Sequence, residues 1–154
     1  MKTICKILEY LRIISVIAGI ELAYFFGTDP QHRIHLLMPF IVIGLSGLTG
    51  LESVFFGKAA IDLTGYAKSP YQRQSGLNNL AVAFTAIFVL IFKWGTIAEI
   101  TILSASLIFF FLSAINHAWS AIKEGNRKLK NLLRPIMTIL LLVFTVPFII
   151  NALK

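Results

Sequence analysis

The chain has 154 residues, of which 57% are hydrophobic and only 14% charged, and its mean hydropathy is +0.82. Because a soluble domain carries roughly a quarter of charged residues, this composition excludes an ordinary soluble protein and favours one membrane domain over residues 1–154. The net charge of +7 comes from basic residues in short loops between apolar runs, and basic stretches interleaved with aromatic residues are missing, so we expect no nucleic-acid partner.

The apolar runs predict an all-α integral membrane bundle of about five transmembrane helices, since a membrane helix needs about 20 mostly apolar residues. The first run keeps Glu21 in its middle and has no signal-peptide cleavage site, so we expect an uncleaved helix. Pro39 falls inside the second run, where it should kink the helix, while Ser69 and Pro70 have the pattern of a helix cap and first residue. The predicted spans are residues 8–26, 34–56, 70–92, 97–122 and 135–153.

The distribution of basic residues predicts the orientation of these helices. With five spans, the N-terminal tail has three Lys or Arg residues, the second loop three and the fourth loop five, against three on the opposite side. Without the first span the split would be six against eight. Positive charge concentrates on the cytoplasmic side of membrane proteins, so we predict an N-inside, C-outside topology.

Several polar residues fall at membrane depth, where ionisable groups are costly and usually face the bundle interior. In the predicted topology Glu52 and His117 lie near the cytoplasmic ends of the second and fourth helices, and carboxamides lie near the cytoplasmic start of the third. Glu52 could pair with His117 in this layer, which is either a ligand site or a set of hydrogen bonds that hold the helices together. Glu21 and Glu99 are further polar positions in the outer half. The candidate ligand-binding residues are Glu52, Gln72, Gln74, Asn78, Asn79 and His117.

The fourth helix carries a polar face, and the loop after it is basic. Glu99, Ser106 and Ser113 are seven residues apart and His117 follows four later, which aligns them either along a hydrated path or in a close-packed seam. The segment Lys123–Arg134 places leucines at helical spacing among basic residues, a pattern expected to bind anionic lipid headgroups. No catalytic motif, cofactor box or metal cage is recognisable, so we predict no metal site and no cofactor, while a membrane enzyme, with His117 as a base, stays an open alternative.

Residues 65–80 read GYAKSPYQRQSGLNNL. This stretch resembles the signature G-W-x-x-S-P-F-Q-x-E-x-G-x-A-N-L of an uncharacterised family of small prokaryotic membrane proteins, loosely DoxX-like in size and layout. The resemblance extends from about residue 47 to the C-terminus, and it implies a multi-pass protein of the prokaryotic inner membrane. His117 corresponds to a histidine in the family's next helix, and Gly125 with Asn126 to a G-N pair after it. The chain departs from the family pattern at Glu52, Tyr66, Tyr71 and Gln74, in place of histidine, tryptophan, phenylalanine and glutamate.

Three functions are compatible with this sequence. The first is translocation of a small solute, an ion or a proton through the polar layer, although the chain shows no internal repeat of the kind common in transporters. The second is an accessory or scaffold subunit of a larger membrane complex. The third is a lipid- or quinone-binding membrane protein. The first two would involve a homo-oligomer or a larger assembly as partner.

Overall fold

A computed structural model describes residues 1–66 and 69–154 of the chain. Within these residues the regular structure is entirely helical, as predicted. Two residues, Ala67 and Lys68, lie outside the described residues. Both belong to the stretch that resembles the family signature, and Lys68 also belongs to the count of basic residues. The helices are α1 (Lys2–Phe26), α2 (Pro30–Phe55), the short α3 (Gly57–Thr64), α4 (Pro70–Ile91), α5 (Thr96–Lys123) and α6 (Leu129–Ala152).

The prediction of a helical bundle with about five membrane helices is confirmed. The helices α2, α4, α5 and α6 are long and apolar enough to cross a membrane. The first helix has sufficient length but carries Glu9, Arg12 and Glu21 along it, and it is not among those four. It begins at Lys2 and not near residue 8, so Arg12 lies ten residues into the helix, about 15 Å from its start at 1.5 Å per residue.

The second helix continues through Pro39, the position of the predicted kink, with a change of helix type. From Pro39 to Gly47 the helix widens into a π-helical segment and then returns to α-helix at Leu48. A proline cannot donate a backbone hydrogen bond and its ring crowds the preceding turn, and a wider turn relieves that conflict. The hydroxyl of Ser15 on α1 donates to the carbonyl oxygen of Phe40 at 2.8 Å, so a hydrogen bond connects α1 to the π-helical segment.

The helix ends follow the expected turn chemistry. Asp29 caps α2 by accepting a hydrogen bond from the backbone N–H of His32 at 2.8 Å, and this bond lowers the pKa of the Asp29 carboxyl. The predicted cap at Ser69 is confirmed, since its hydroxyl accepts from the N–H of Tyr71 at 3.3 Å. Gly65 ends α3 in the left-handed conformation. The last helix begins at Leu129, six residues before the predicted start, and contains Pro135 in its interior.

The hydrophobic core surrounds α2, whose side chains Ile34, Leu37, Met38, Ile41 and Val42 are fully buried. The first helix packs against both halves of α2, and α4 packs against its π-helical and C-terminal parts. The last helix packs mainly on α5 and barely touches α1. This uneven packing leaves an opening between α1 and α6, and the candidate site lies in it.

Candidate functional site

A cleft of about 680 Å³ lies between α1, α2, α5 and α6. Its walls come from residues spaced three or four apart on α1 and α6, which is the spacing of one helix face. Leu45 and Thr49 of α2 and Phe110, Ser113, Ala114 and His117 of α5 complete the lining. The α1 residues are Lys6, Glu9, Tyr10, Arg12, Ile13, Val16, Ile17, Ile20 and Glu21, and the α6 residues are Lys130, Leu133, Arg134, Met137, Thr138, Leu140, Leu141 and Phe144.

The two ends of the cleft differ in chemistry. The N-terminal parts of α1 and α6 contribute charged side chains, whereas the following two to three turns of each helix contribute almost only aliphatic and aromatic ones. From Lys130 to Phe144 the lining extends over fourteen residues, about 21 Å at 1.5 Å per residue. The cleft is therefore long and apolar along most of its length, with a cluster of charged side chains at one end and Glu21 alone at the other.

Arg12 and Glu52 form a buried ion pair beside the charged end. Their side chains are only 6% and 5% exposed, and Nη2 of Arg12 donates to Oε2 of Glu52 at 2.6 Å. Arg12 also donates to Oγ1 of Thr49 and to Oε2 of Glu9, both at 3.2 Å. The prediction that Glu52 faces the interior is confirmed, but its described partner is Arg12 and not His117, because Arg12 lies on the face of α1 that packs against α2.

Glu9 connects α1 to α6. Its Oε2 accepts from Nζ of Lys130 at 2.6 Å as well as from Arg12. Four residues after Lys130, and hence on the same face of α6, Arg134 also lines the cleft. The Nε atom of Arg134 is buried and has no hydrogen-bond partner among residues 1–66 and 69–154.

His117 joins a second set of polar contacts, between α5, α6 and the loop before α4. Its Nδ1 lies 2.7 Å from Oδ1 of Asn131 and 2.9 Å from the hydroxyl of Tyr66. The amide nitrogen of Asn131 donates to the carbonyl oxygens of His117 and Asn126, so its Oδ1 faces the ring as an acceptor. A neutral ring in this arrangement has its hydrogen on Nδ1, which can then donate to Oδ1 of Asn131. Burial raises the pKa of the Tyr66 hydroxyl, which stays neutral beside the ring.

The predicted carboxamide layer does not assemble around Glu52 and His117. Gln72 donates to the carbonyl of Gly57 at 3.2 Å, and buried Asn79 donates to the carbonyl of Ser75 in its own helix at 3.0 Å. Gln74 and Asn78 are exposed. None of the four residues lines the cleft. The reason is the rotation of α4, which turns the side of Gly76 and Asn79 toward α2 and the side of Gln74 and Asn78 away from the bundle.

The outer positions are separated from one another. Glu99 is buried and pairs with Nδ1 of His35 at 2.7 Å, at a small cavity of about 330 Å³ near the N-terminus of α5. Glu21 is exposed and lies at the far end of the cleft. In the described part of the chain, no three His, Cys, Asp or Glu side chains come close enough together to hold a metal ion.

The basic segment before and within α6 is partly tied to the protein. Lys128 donates to the carbonyl of Asp62 at 2.6 Å, Lys130 binds Glu9, and Arg134 lines the cleft. Lys123 and Arg127 are exposed. The predicted contact of this segment with anionic lipid headgroups stays a prediction.

Glu9, Arg12, Lys130 and Arg134 were not among the predicted site residues. A signal for them exists in the sequence. Glu9 and Arg12 are three residues apart and Lys130 and Arg134 four apart, and on each helix the same face continues as an apolar stripe. The charge count assigned Arg12, Lys130 and Arg134 to loops, whereas the helices begin earlier and carry them inward.

Comparison with known proteins identifies a family. The profile of a family described as "Family of unknown function (DUF6790)" matches residues 10–153. No curated protein and no solved structure matches the chain. The match agrees with the resemblance to an uncharacterised family, while the sixteen-residue signature and the DoxX-like layout stay predictions.

Proposed function

Because the matched segment covers almost the whole chain, the protein belongs to the DUF6790 family, and we propose that it binds a lipid-like amphiphile in the cleft between α1 and α6. The single observation that carries this proposal is the division of one elongated cleft into a charged end and an apolar body. Its volume is within the roughly 300–1,000 Å³ typical of ligand pockets.

The packing of the last helix supports entry of a ligand from the bilayer. Within the most apolar stretch of α6, only 11% of the residues are buried inside the bundle. This helix also makes few contacts with α1. An acyl or isoprenoid chain can therefore enter sideways between these helices without crossing water. In the predicted N-inside topology the charged end lies at the level of the cytoplasmic headgroups, where the polar part of an amphiphile is located.

Fluorescence quenching by brominated lipid tests this proposal. In a Trp94→Phe, Trp119→Phe background, Phe144→Trp puts the only tryptophan in the cleft, and Ile139→Trp puts it on the exposed face of the same helix. In detergent with small amounts of a lipid brominated on its chain, we expect saturable quenching for Phe144→Trp, reversed by unbrominated lipid. For Ile139→Trp we expect quenching that only follows the lipid mole fraction.

A blocking variant completes the experiment. Ser113 lines the cleft and is half-buried, whereas neighbouring Leu112 is 58% exposed and does not line it. Ser113→Phe should abolish the saturable component, and Leu112→Phe should preserve it. Equal, non-saturable quenching at both tryptophan positions would contradict a bound amphiphile.

The geometry favours binding over translocation as a first hypothesis. The translocation hypothesis relied on Glu52, His117 and the carboxamides of α4 meeting in one layer, and the described contacts divide them between separate pairs. Translocation and the accessory-subunit role stay sequence-based predictions.

A further inference from the structure

We infer that the cleft selects an anionic phospholipid, with the phosphate held at the charged end by Arg134 and one acyl chain along the apolar body. This inference rests on the proposed function, since it names the ligand class of the same cleft. Two features of the charged end support it, an excess of positive charge and a buried donor on Arg134, while the carboxylate of Glu9 opposes anion binding and provides a test of the inference.

Positive charge exceeds negative charge at this end of the cleft. The basic side chains there are Lys6, Arg12, Lys130 and Arg134, and the carboxylates that meet them are Glu9 and Glu52. Glu52 is occupied by Arg12, and Glu9 is shared between Arg12 and Lys130. Among the described residues, Lys6 and Arg134 have no carboxylate partner within salt-bridge distance. The excess is two positive charges, and the single negative charge of a lipid phosphodiester would offset one of them.

Arg134 offers the geometry for such a group. Its Nε is buried without a partner in the described part of the chain, and a buried N–H left unpaired is unfavourable. A guanidinium presents Nε and a terminal nitrogen side by side, and this pair would match two oxygens of one phosphate once the side chain turns its covered Nε toward the cleft. Arg134 lies one turn after Lys130 on the cleft face of α6, so a phosphate bound to it would be within reach of the Lys130 ammonium.

Glu9 has the opposite effect on a bound anion. It lines the same end of the cleft and holds Lys130 at 2.6 Å. Its negative charge repels a phosphate and occupies a cation that the phosphate would use. Removing the charge of Glu9 should therefore strengthen binding of an anionic lipid, whereas removing the charge of Arg134 should weaken it.

The test compares two lipids that differ only in headgroup. Phosphatidylglycerol and monogalactosyldiacylglycerol, a neutral lipid without phosphate, both with the same brominated chains, are titrated into the Phe144→Trp protein, in the Trp94→Phe, Trp119→Phe background. We expect phosphatidylglycerol to reach half-quenching at a mole fraction about tenfold lower, as one charge-assisted hydrogen bond predicts. Arg134→Gln should reduce this preference to about twofold or less and leave the curve of the neutral galactolipid in place, because that lipid has no phosphate for Arg134 to bind.

Three variants and one competitor make the result specific. Glu9→Gln should increase the preference for phosphatidylglycerol, and Arg134→Lys should keep part of it, which also covers the case in which Arg134→Gln does not fold. Lys123→Gln removes an exposed charge outside the cleft and should change nothing. Millimolar inorganic phosphate should not compete, because it lacks the chain.

The outcomes separate this inference from the proposed function. If neither lipid quenches saturably, the proposed function fails and the inference fails with it. If both lipids quench saturably at equal mole fractions, the cleft binds amphiphiles without selecting the anion, and only the inference is overturned. Competition by inorganic phosphate, or an equal loss of preference in Lys123→Gln, would also overturn it.

Discussion

Replacing Glu52 with alanine should destabilise the protein strongly, because it leaves Arg12 buried without its main counter-ion. The two side chains are 6% and 5% exposed and meet at 2.6 Å. Removing one partner of a buried ion pair costs about 3–5 kcal/mol. Arg12 would keep its contacts with Thr49 and Glu9 at 3.2 Å, so we expect about 3 kcal/mol, at the lower end of this range.

The assay is reversible unfolding in mixed micelles with increasing denaturing detergent, applied as a double-mutant cycle. Glu52→Ala and Arg12→Ala should each lower the free energy of unfolding. The loss in the double variant should be smaller than the sum of the two single losses by more than about 1 kcal/mol, since contacting residues couple. Glu52→Ala and His117→Ala should be additive. Coupling of Glu52 with His117 and not with Arg12, or a loss below about 0.5 kcal/mol for Glu52→Ala, would refute the reasoning.

The remaining predictions concern packing and topology. His117→Ala should lower the free energy of unfolding by about 1–2 kcal/mol, because it removes the ring that Asn131 and Tyr66 bind; an unchanged melting temperature would contradict this. Gly44→Ala should cost about 1–3 kcal/mol, since a Cβ there would overlap Ser15, and adding Ser15→Gly should recover most of the loss in the same melting assay. Reporter fusions at the C-terminus and in the loop around Lys128 should report opposite sides of the membrane, as the basic-residue count requires; the same side for both would exclude the five-span topology.

The sequence predicted the helical class and most helix positions because apolar runs and their turn residues are local signals. Ser69 shows this, since its position directly before Pro70 was enough to predict the helix cap that forms. Burial of Glu52 and His117 was likewise predictable from the cost of exposing charge to lipid.

The partners of those residues were not predictable, because they depend on helix rotation and on where charged helix ends are placed. Arg12 was counted with the N-terminal tail, whereas the rotation of α1 places it on the face that packs against α2, beside Glu52. The rotation of α4 decides that Asn79 is buried and Asn78 exposed. The cleft itself results from the weak contact between α1 and α6, and no feature of either helix alone specifies that contact.

Native mass spectrometry of the protein released from its membrane in a mild detergent tests the bound amphiphile most directly. The account predicts that one phospholipid adduct survives on the unaltered protein and on Leu112→Phe, and that Ser113→Phe loses it because the new ring fills the cleft. Adducts of equal abundance on both variants, or none on the unaltered protein, would contradict it.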